Sequence, residues 1–465
     1  MKFHPYWIIV ALIIFLPSED FILKWLPVSD KVYSYSRILS ELSVYSLLIL
    51  VLLNRIFQGL PLRRTPIDIP LLLFIFLGIV SIVVNKAPLF GGLLGIRTLL
   101  RYIAVYYLIV NSNLSPNHIR RLILLVIVIA IGESLLACIQ HFYGISNFWL
   151  PRTTDLEIAG YSKVFTVLSG ALEKGASIGT FCHSVNMALY LLIAIISLLS
   201  YMYNSHELSK IKKTFQYIGL CIIFIGILFT YSRGIFLATL FMVPIILILL
   251  QKKRTLLKFT IISFILISFI INIFLFTNQG IGTKYKRLNK EYTNPLDNLR
   301  LMLSSEYVEK TKGSRQWILK EVGSTIIGSL TLIGFSPDEL TAREKILKAS
   351  GGTLRKIITS KAFEDVYWIA LLAYFGIIGE TLFIWILYKL YTCSNFVLRR
   401  AQNYIFTSIA VSFSTLIILT IPLTFLVRTF EFRPFCFLFW LMAGLVMNEY
   451  LRLRVQNKPL DLKIS

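Results

Sequence analysis

Charge is scarce in this 465-residue sequence: Asp, Glu, Lys and Arg make up 15% of it, where a soluble domain carries about a quarter. Cysteine is sparse too. The five, Cys138, Cys182, Cys221, Cys393 and Cys436, form no CxxC pair and no cluster at metal-ligand spacing, and most lie in apolar stretches. They read as small buried hydrophobes. There is no Gly-rich phosphate loop, no Ser/His/Asp set at a known spacing, and no acidic pair suggestive of a bound metal. Internal repeats and low-complexity tracts are missing as well. No nucleic-acid-binding module is recognisable, so the net charge of +23 needs another explanation.

What the chain has is apolar residues, 56% of the total, gathered in long blocks rather than at helical or strand spacing. A soluble core is not their destination. The pattern predicts an all-α polytopic membrane protein of about twelve transmembrane helices. The first runs from Tyr6 to about Leu16, helped by the apolar part of Phe21–Leu26. Ser40–Phe57, Ile67–Val84, Leu93–Val110, Ile119–Phe142, Thr180–Met202, Phe215–Tyr231, Ile235–Leu250 and Leu256–Phe276 follow. Val366–Tyr391, Tyr404–Leu426 and Phe435–Tyr450 complete the set. Pro17-Ser18-Glu19-Asp20 follows the first span without a small-x-small cleavage site, which favours a retained helix over a removable signal peptide.

Orientation follows from the basic residues. With a cytoplasmic N-terminus, every second connection carries Lys/Arg: Arg63-Arg64, Arg120-Arg121, Lys210/Lys212/Lys213, Lys252-Lys253-Arg254, Arg399-Arg400 and Arg452/Arg454/Lys458. That is the positive-inside rule obeyed at each cytoplasmic loop, with both termini cytoplasmic. The expected division is 1–277, nine helices with an outer loop at about 144–179; 278–365, a large helical extracytoplasmic loop; and 366–465, three helices and a cytoplasmic tail. In the large loop Ser314–Ile327 and Glu339–Lys348 read as short helices, the second begun by Ser336-Pro337-Asp338, and Thr353–Ala362 follows Gly351-Gly352.

Several cations fall on the outer side, where no topology rule asks for them. Arg233 sits in the turn Tyr231-Ser232-Arg233-Gly234, where it either snorkels to headgroups or clamps an anion with its planar guanidinium. Arg97 and Arg101 are one turn apart on the fourth span and share a face. Arg428 and Arg433 flank the turn before the last span, with Glu431 between them, and Arg315 lies just ahead of Trp317 in the large loop. A diphosphate suits such a group. Glu364-Asp365 precedes the tenth span, where Asp365 either caps the helix or accepts a proton from an attacking sugar hydroxyl. In Gly175–Tyr190, His183 and Asn186 share a face, with His183 a helix-start residue or a base.

The Gly-Thr-Phe stretch leading to Asn186, the Ser232-Arg233-Gly234 turn, Arg315 followed by Trp317, and a polar residue ahead of Gly376-x-x-Gly379 occur in that order. The chain resembles the O-antigen ligase and O-antigen polymerase superfamily, integral-membrane glycosyltransferases of the GT-C type. The resemblance implies an undecaprenyl-diphosphate-linked oligosaccharide donor on the outer leaflet of a bacterial plasma membrane. It implies a glycan acceptor, either another lipid-linked glycan or lipid A core, a chain-length regulator protein as partner, and no metal or other cofactor. Arg233 and Arg315 would then hold the diphosphate and stabilise its departure. Ligases carry a His-Asn type motif ahead of the Gly-x-x-Gly stretch; here the position is Asp365, followed by Val366, which tilts the reading toward a polymerase. A flippase for the same lipid-linked glycan is the competing class. The loop assignment is checked with single cysteines in a cysteine-free background: Thr311→Cys is expected to react with a membrane-impermeant maleimide in intact cells and Ser209→Cys only after permeabilisation. The reverse pattern contradicts the orientation.

Overall fold

The computed structural model describes residues 5–25, 29–36, 38–112, 114–145, 148–149, 157–158, 161–162, 176–204, 210–251, 315–329, 332–351 and 366–456. The helices are α1 Tyr6–Leu23, α2 Asp30–Ser36, α3 Leu39–Phe57, α4 Asp68–Val84, α5 Leu89–Leu99, α6 Ile103–Asn111, α7 Pro116–Tyr143, α8 Ser184–Asn204, α9 Lys210–Phe229 and α10 Arg233–Leu249. They continue with α11 Arg315–Gly328, α12 Glu339–Ala349, α13 Tyr367–Arg400, α14 Tyr404–Leu423 and α15 Arg433–Gln456. A two-residue antiparallel ladder, β1 Glu157–Ile158 with β2 Tyr161–Ser162, is the departure from an all-α chain among the described residues. Eight described helices, α1, α3, α7, α8, α9, α13, α14 and α15, are long and apolar enough to cross a membrane, α5 and α6 together make a ninth as a bent pair, and α4 and α10 are shorter apolar helices. The chain is a multi-pass membrane protein. The expected span Leu256–Phe276 and loop helix Thr353–Ala362 lie outside the described residues.

Apolar character all round marks the interior helices. Along α8 sixteen residues from Ser184 to Tyr201 are buried, and α14 and α15 are buried on most sides, whereas α9 turns much of its surface outward. Basic connections meet at one end of the bundle. There Tyr6 stacks on His118 at 4.5 Å and Tyr201 packs on Tyr404 at 5.8 Å. Arg63 donates to Val110 O at 3.0 Å and to Asn448 Oδ1 at 2.9 Å. Arg63-Arg64, Arg120-Arg121 and Arg399-Arg400 thus share this basic end, and the candidate site lies at the other.

Three local features depart from the expectations. Helix α1 continues through Pro17 to Leu23, so Glu19 is a buried helical residue rather than part of a loop. The fourth span is broken: α5 and α6 meet at 56°, with Tyr102 left-handed at φ 62°. Arg97 therefore belongs to α5 and Arg101 to the break, not to one helical face. The Tyr102 hydroxyl meets Ser40 Oγ at 2.9 Å, an anchor the sequence pattern does not betray.

The third is in α13, which is interrupted at Gly376 (φ 65°, ψ −169°), backbone angles essentially confined to glycine. Segment 332–338 of the large loop docks into this break. Phe335 N donates to Ala373 O at 2.7 Å and Ile378 N to Leu332 O at 3.1 Å, supplying partners that the broken helix lacks. Gly334 (φ +74°) sits so close that a Cβ there would meet the Phe375 nitrogen at 2.5 Å, and one at Gly376 would overlap Gly334 N and Leu332 O. Beyond it Asp338 caps α12, accepting from Thr341 N at 2.9 Å, as the Ser-Pro-Asp signal implies. Gly376→Ala and Gly334→Ala are each expected to cost at least about 1–3 kcal/mol and to open 332–338 to protease, while lipid-facing Gly132→Ala leaves both unchanged. A wild-type melting temperature in both loop variants contradicts the docking.

Candidate functional site

At the end opposite the basic one, four of the singled-out arginines converge, and each meets a carboxylate. Arg97 donates from Nε to Glu41 Oε2 at 2.9 Å and from Nη2 at 2.5 Å. Arg101 Nε lies 3.1 Å from Glu41 Oε1, and its Nη1 donates to Glu431 O at 2.8 Å. Arg433 Nη1 donates to Glu19 Oε2 at 2.8 Å, and Ser40 Oγ donates to Glu19 Oε1 at 2.9 Å. Arg428 is paired with Glu431. Burial pulls on the Arg428 guanidinium to lower its pKa, but Glu431, Tyr374 and Glu339 together outweigh it and the net shift is upward. Glu41 is 1% exposed and Glu19 2%. These are buried ion pairs, in which the attraction has to make up for desolvation of both partners.

Arg97, Arg101, Arg428 and Arg433, expected to bind a diphosphate, each have a carboxylate partner. They are paired with Glu19, Glu41 and Glu431, Glu41 serving both Arg97 and Arg101, and two of those carboxylates come from α1 and α3, far away in sequence. Sequence reading missed Glu19 and Glu41 because it looked for cations alone. An acidic residue beside or inside an apolar span is itself a signal, since it needs a partner there.

Arg233 differs. It opens α10, is exposed, and makes no hydrogen bond or ion pair among the described residues. Ser232, the residue before it, does not cap the helix with its side chain. A guanidinium beside uncapped amides at the positive end of a helix dipole is a place for an anion. The turn is held at this end of the bundle: Ser177 N donates to Phe229 O at 2.8 Å, and Gly234 lies against Leu426, two residues before Arg428. Tyr367 N donates to Thr424 O at 3.0 Å, so the start of α13 reaches the same 424–431 connection.

The Gly-Thr-Phe stretch forms a short 3-10 turn, Gly179–Phe181, fixed from α7. Gln140 Oε1 accepts from Ile178 N at 3.0 Å and Gly179 N at 2.9 Å, and Glu133 accepts from Thr180 N at 2.9 Å and Thr180 Oγ1 at 2.5 Å. His183 Nδ1 accepts from Val185 N at 3.2 Å and Asn186 N at 3.4 Å. It is thus a helix-start cap. Burial pushes the imidazole down to about 4, against the opposing pull of Asp20, so it is neutral at physiological pH. Phe432 lies 5.4 Å from its ring. Asn186 Oδ1 is buried without a hydrogen-bond partner. Asp365, Glu364 and the side chains of Arg315 and Trp317 lie outside the described residues; α11, which carries the last two, packs on α13.

No protein-family model matches the chain, and no protein of established function matches it in sequence. Glu41→Gln leaves Arg97 and Arg101 with one weakened partner between them. It is expected to lower stability in detergent by up to about 3–5 kcal/mol, the cost of breaking a buried pair. Arg233→Gln, which breaks no pair, should leave the melting temperature unchanged. Equal melting curves for Glu41→Gln and wild type would remove the ion network as a structural element.

Proposed function

We propose that the protein is a membrane glycosyltransferase that polymerises undecaprenyl-diphosphate-linked glycan units at the outer face of a bacterial plasma membrane, with inversion and without a metal. The reading rests above all on Arg233, exposed and without an ion partner among the described residues at the end of the bundle where α13 begins. It draws also on the resemblance carried by the Gly-Thr-Phe stretch, the Ser232-Arg233-Gly234 turn and Gly376-x-x-Gly379.

In this mechanism an acceptor sugar hydroxyl attacks the anomeric carbon from the face opposite the diphosphate. The new C–O bond forms as the bond to the phosphate oxygen breaks, and the hydroxyl proton passes to Asp365 or Glu364. The lipid diphosphate leaves with both bonding electrons, its charge met by Arg233 and Arg315. The four paired arginines hold the frame of the site rather than grip the ligand. Transfer to lipid A core, the ligase reaction, would use the same steps with another acceptor.

The test compares surface-polysaccharide ladders from cells carrying single variants. Arg233→Ala and Arg315→Ala are expected to lower elongation about 10²–10³-fold, the loss typical of one group stabilising a departing charge, with membrane levels of the protein unchanged. Asp365→Asn should match them if it accepts the proton, and Glu364→Gln if that residue does. Wild-type chain lengths in both arginine variants would reject the proposal.

A further inference from the structure

Beside the Arg233 turn stands a histidine that the transfer steps above do not use. His141 lies in the last turn of α7 and is half-buried. Its imidazole stacks on Phe229, the last residue of α9, with ring centres 4.1 Å apart and planes 9° from parallel. The Tyr231 ring, two residues before Arg233, lies 6.1 Å from it. Ser177 clips the two elements together. Its N donates to Phe229 O at 2.8 Å, and its Oγ donates at 2.8 Å to the carbonyl of Ala137, one turn before His141. The turn itself is tight: Thr230 Oγ1 donates to Ile227 O at 2.6 Å, and Tyr231 is left-handed at φ 53°. Such a conformation is costly for a bulky residue, and strain of this kind gathers at functional sites.

Nothing in the described fold uses the nitrogens of this ring. Stacking needs only its faces, which a phenylalanine would supply equally. Nδ1 is enclosed without a hydrogen-bond partner, and His141 has no ion pair among the described residues. An enclosed N–H without an acceptor is rare, so the proton of the neutral ring belongs on Nε2, which makes that nitrogen a donor. The Arg233 guanidinium, exposed on the same turn, is likewise without a partner among the described residues. Two unused donors, on elements pinned to one another, call for a ligand with two groups of acceptor oxygens. A diphosphate has them, and hydrogen bonds to its charged oxygens are the strong ones.

We infer that His141 is a further contact of the lipid diphosphate, its Nε2–H donating to one phosphoryl group while Arg233 holds the other. The inference rests on the transferase reading of this end of the bundle.

Binding of radiolabelled undecaprenyl diphosphate to the purified full chain in detergent, with no turnover, tests it. Wild type is expected to bind the probe, and excess phosphatidylglycerol should not displace it. His141→Phe keeps a stacked ring and drops the donor. It should weaken binding about 10–100-fold, the worth of one hydrogen bond to a charged group, with the melting temperature unchanged. His141→Gln, which puts an N–H near the place of Nε2, should recover most of the loss. If His141→Phe does not elute as a single species, His141→Leu replaces it, being matched to Gln in size but without a donor. Wild-type binding in the Phe or Leu variant, or equal weakening in Gln and Leu, would overturn the role of His141. With binding still lost in Arg233→Ala, the transferase reading would survive that result. Displacement by phosphatidylglycerol would reduce the site to one for any anionic lipid and overturn the inference, and no binding by wild type would overturn both.

Discussion

A charge placed in hydrocarbon has to find its opposite, and the end of this bundle is organised around that demand. Glu19 of α1 takes Arg433 of α15, and Glu41 of α3 takes Arg97 and Arg101 at the α5–α6 break. Arg428 and Glu431 close the α14–α15 connection. These pairs tie the first two long helices to the fourth span and to the last one, joining the two ends of the sequence. The bend between α5 and α6 belongs to the same arrangement, because it brings Arg101 to Glu41 and Tyr102 to Ser40.

Satisfying backbone groups is the second demand, and it explains how the large loop joins the membrane helices. A broken helix in a low-dielectric setting exposes amides and carbonyls that need partners. At Gly376 those partners come from residues 332–335, so the loop and the helix break presuppose each other. Docking also sets the direction of the first part of α13, whose opening residue Tyr367 bonds to Thr424.

Much of the architecture was legible in the sequence because hydrophobic length and basic loops are strong, additive signals. The helices α3, α4, α7, α10 and α14 begin and end within a few residues of the expected spans, and the cap at Asp338 was written in Ser-Pro-Asp. The α5–α6 break was not legible: Leu100-Arg101-Tyr102 contains no glycine or proline, and the contact Tyr102 makes there is with Ser40, some sixty positions away. Pro17 misled in the opposite sense, since a proline and two acids after an apolar run resemble a helix end, while tertiary pairing of Glu19 keeps the helix going. In the candidate site the arginines were readable as a set, but their carboxylate partners were not. That difference shows the four arginines as paired groups, three of which join helices distant in sequence.

A transfer site for a lipid-linked glycan at this end of the bundle is tested most directly by a reconstituted reaction: purified protein in proteoliposomes, given a radiolabelled undecaprenyl-diphosphate repeat unit. The expected result is release of undecaprenyl diphosphate in step with formation of a new glycosidic bond of inverted anomeric configuration. Movement of the intact donor between leaflets with no bond formed, or a product that keeps the donor's configuration, would contradict it.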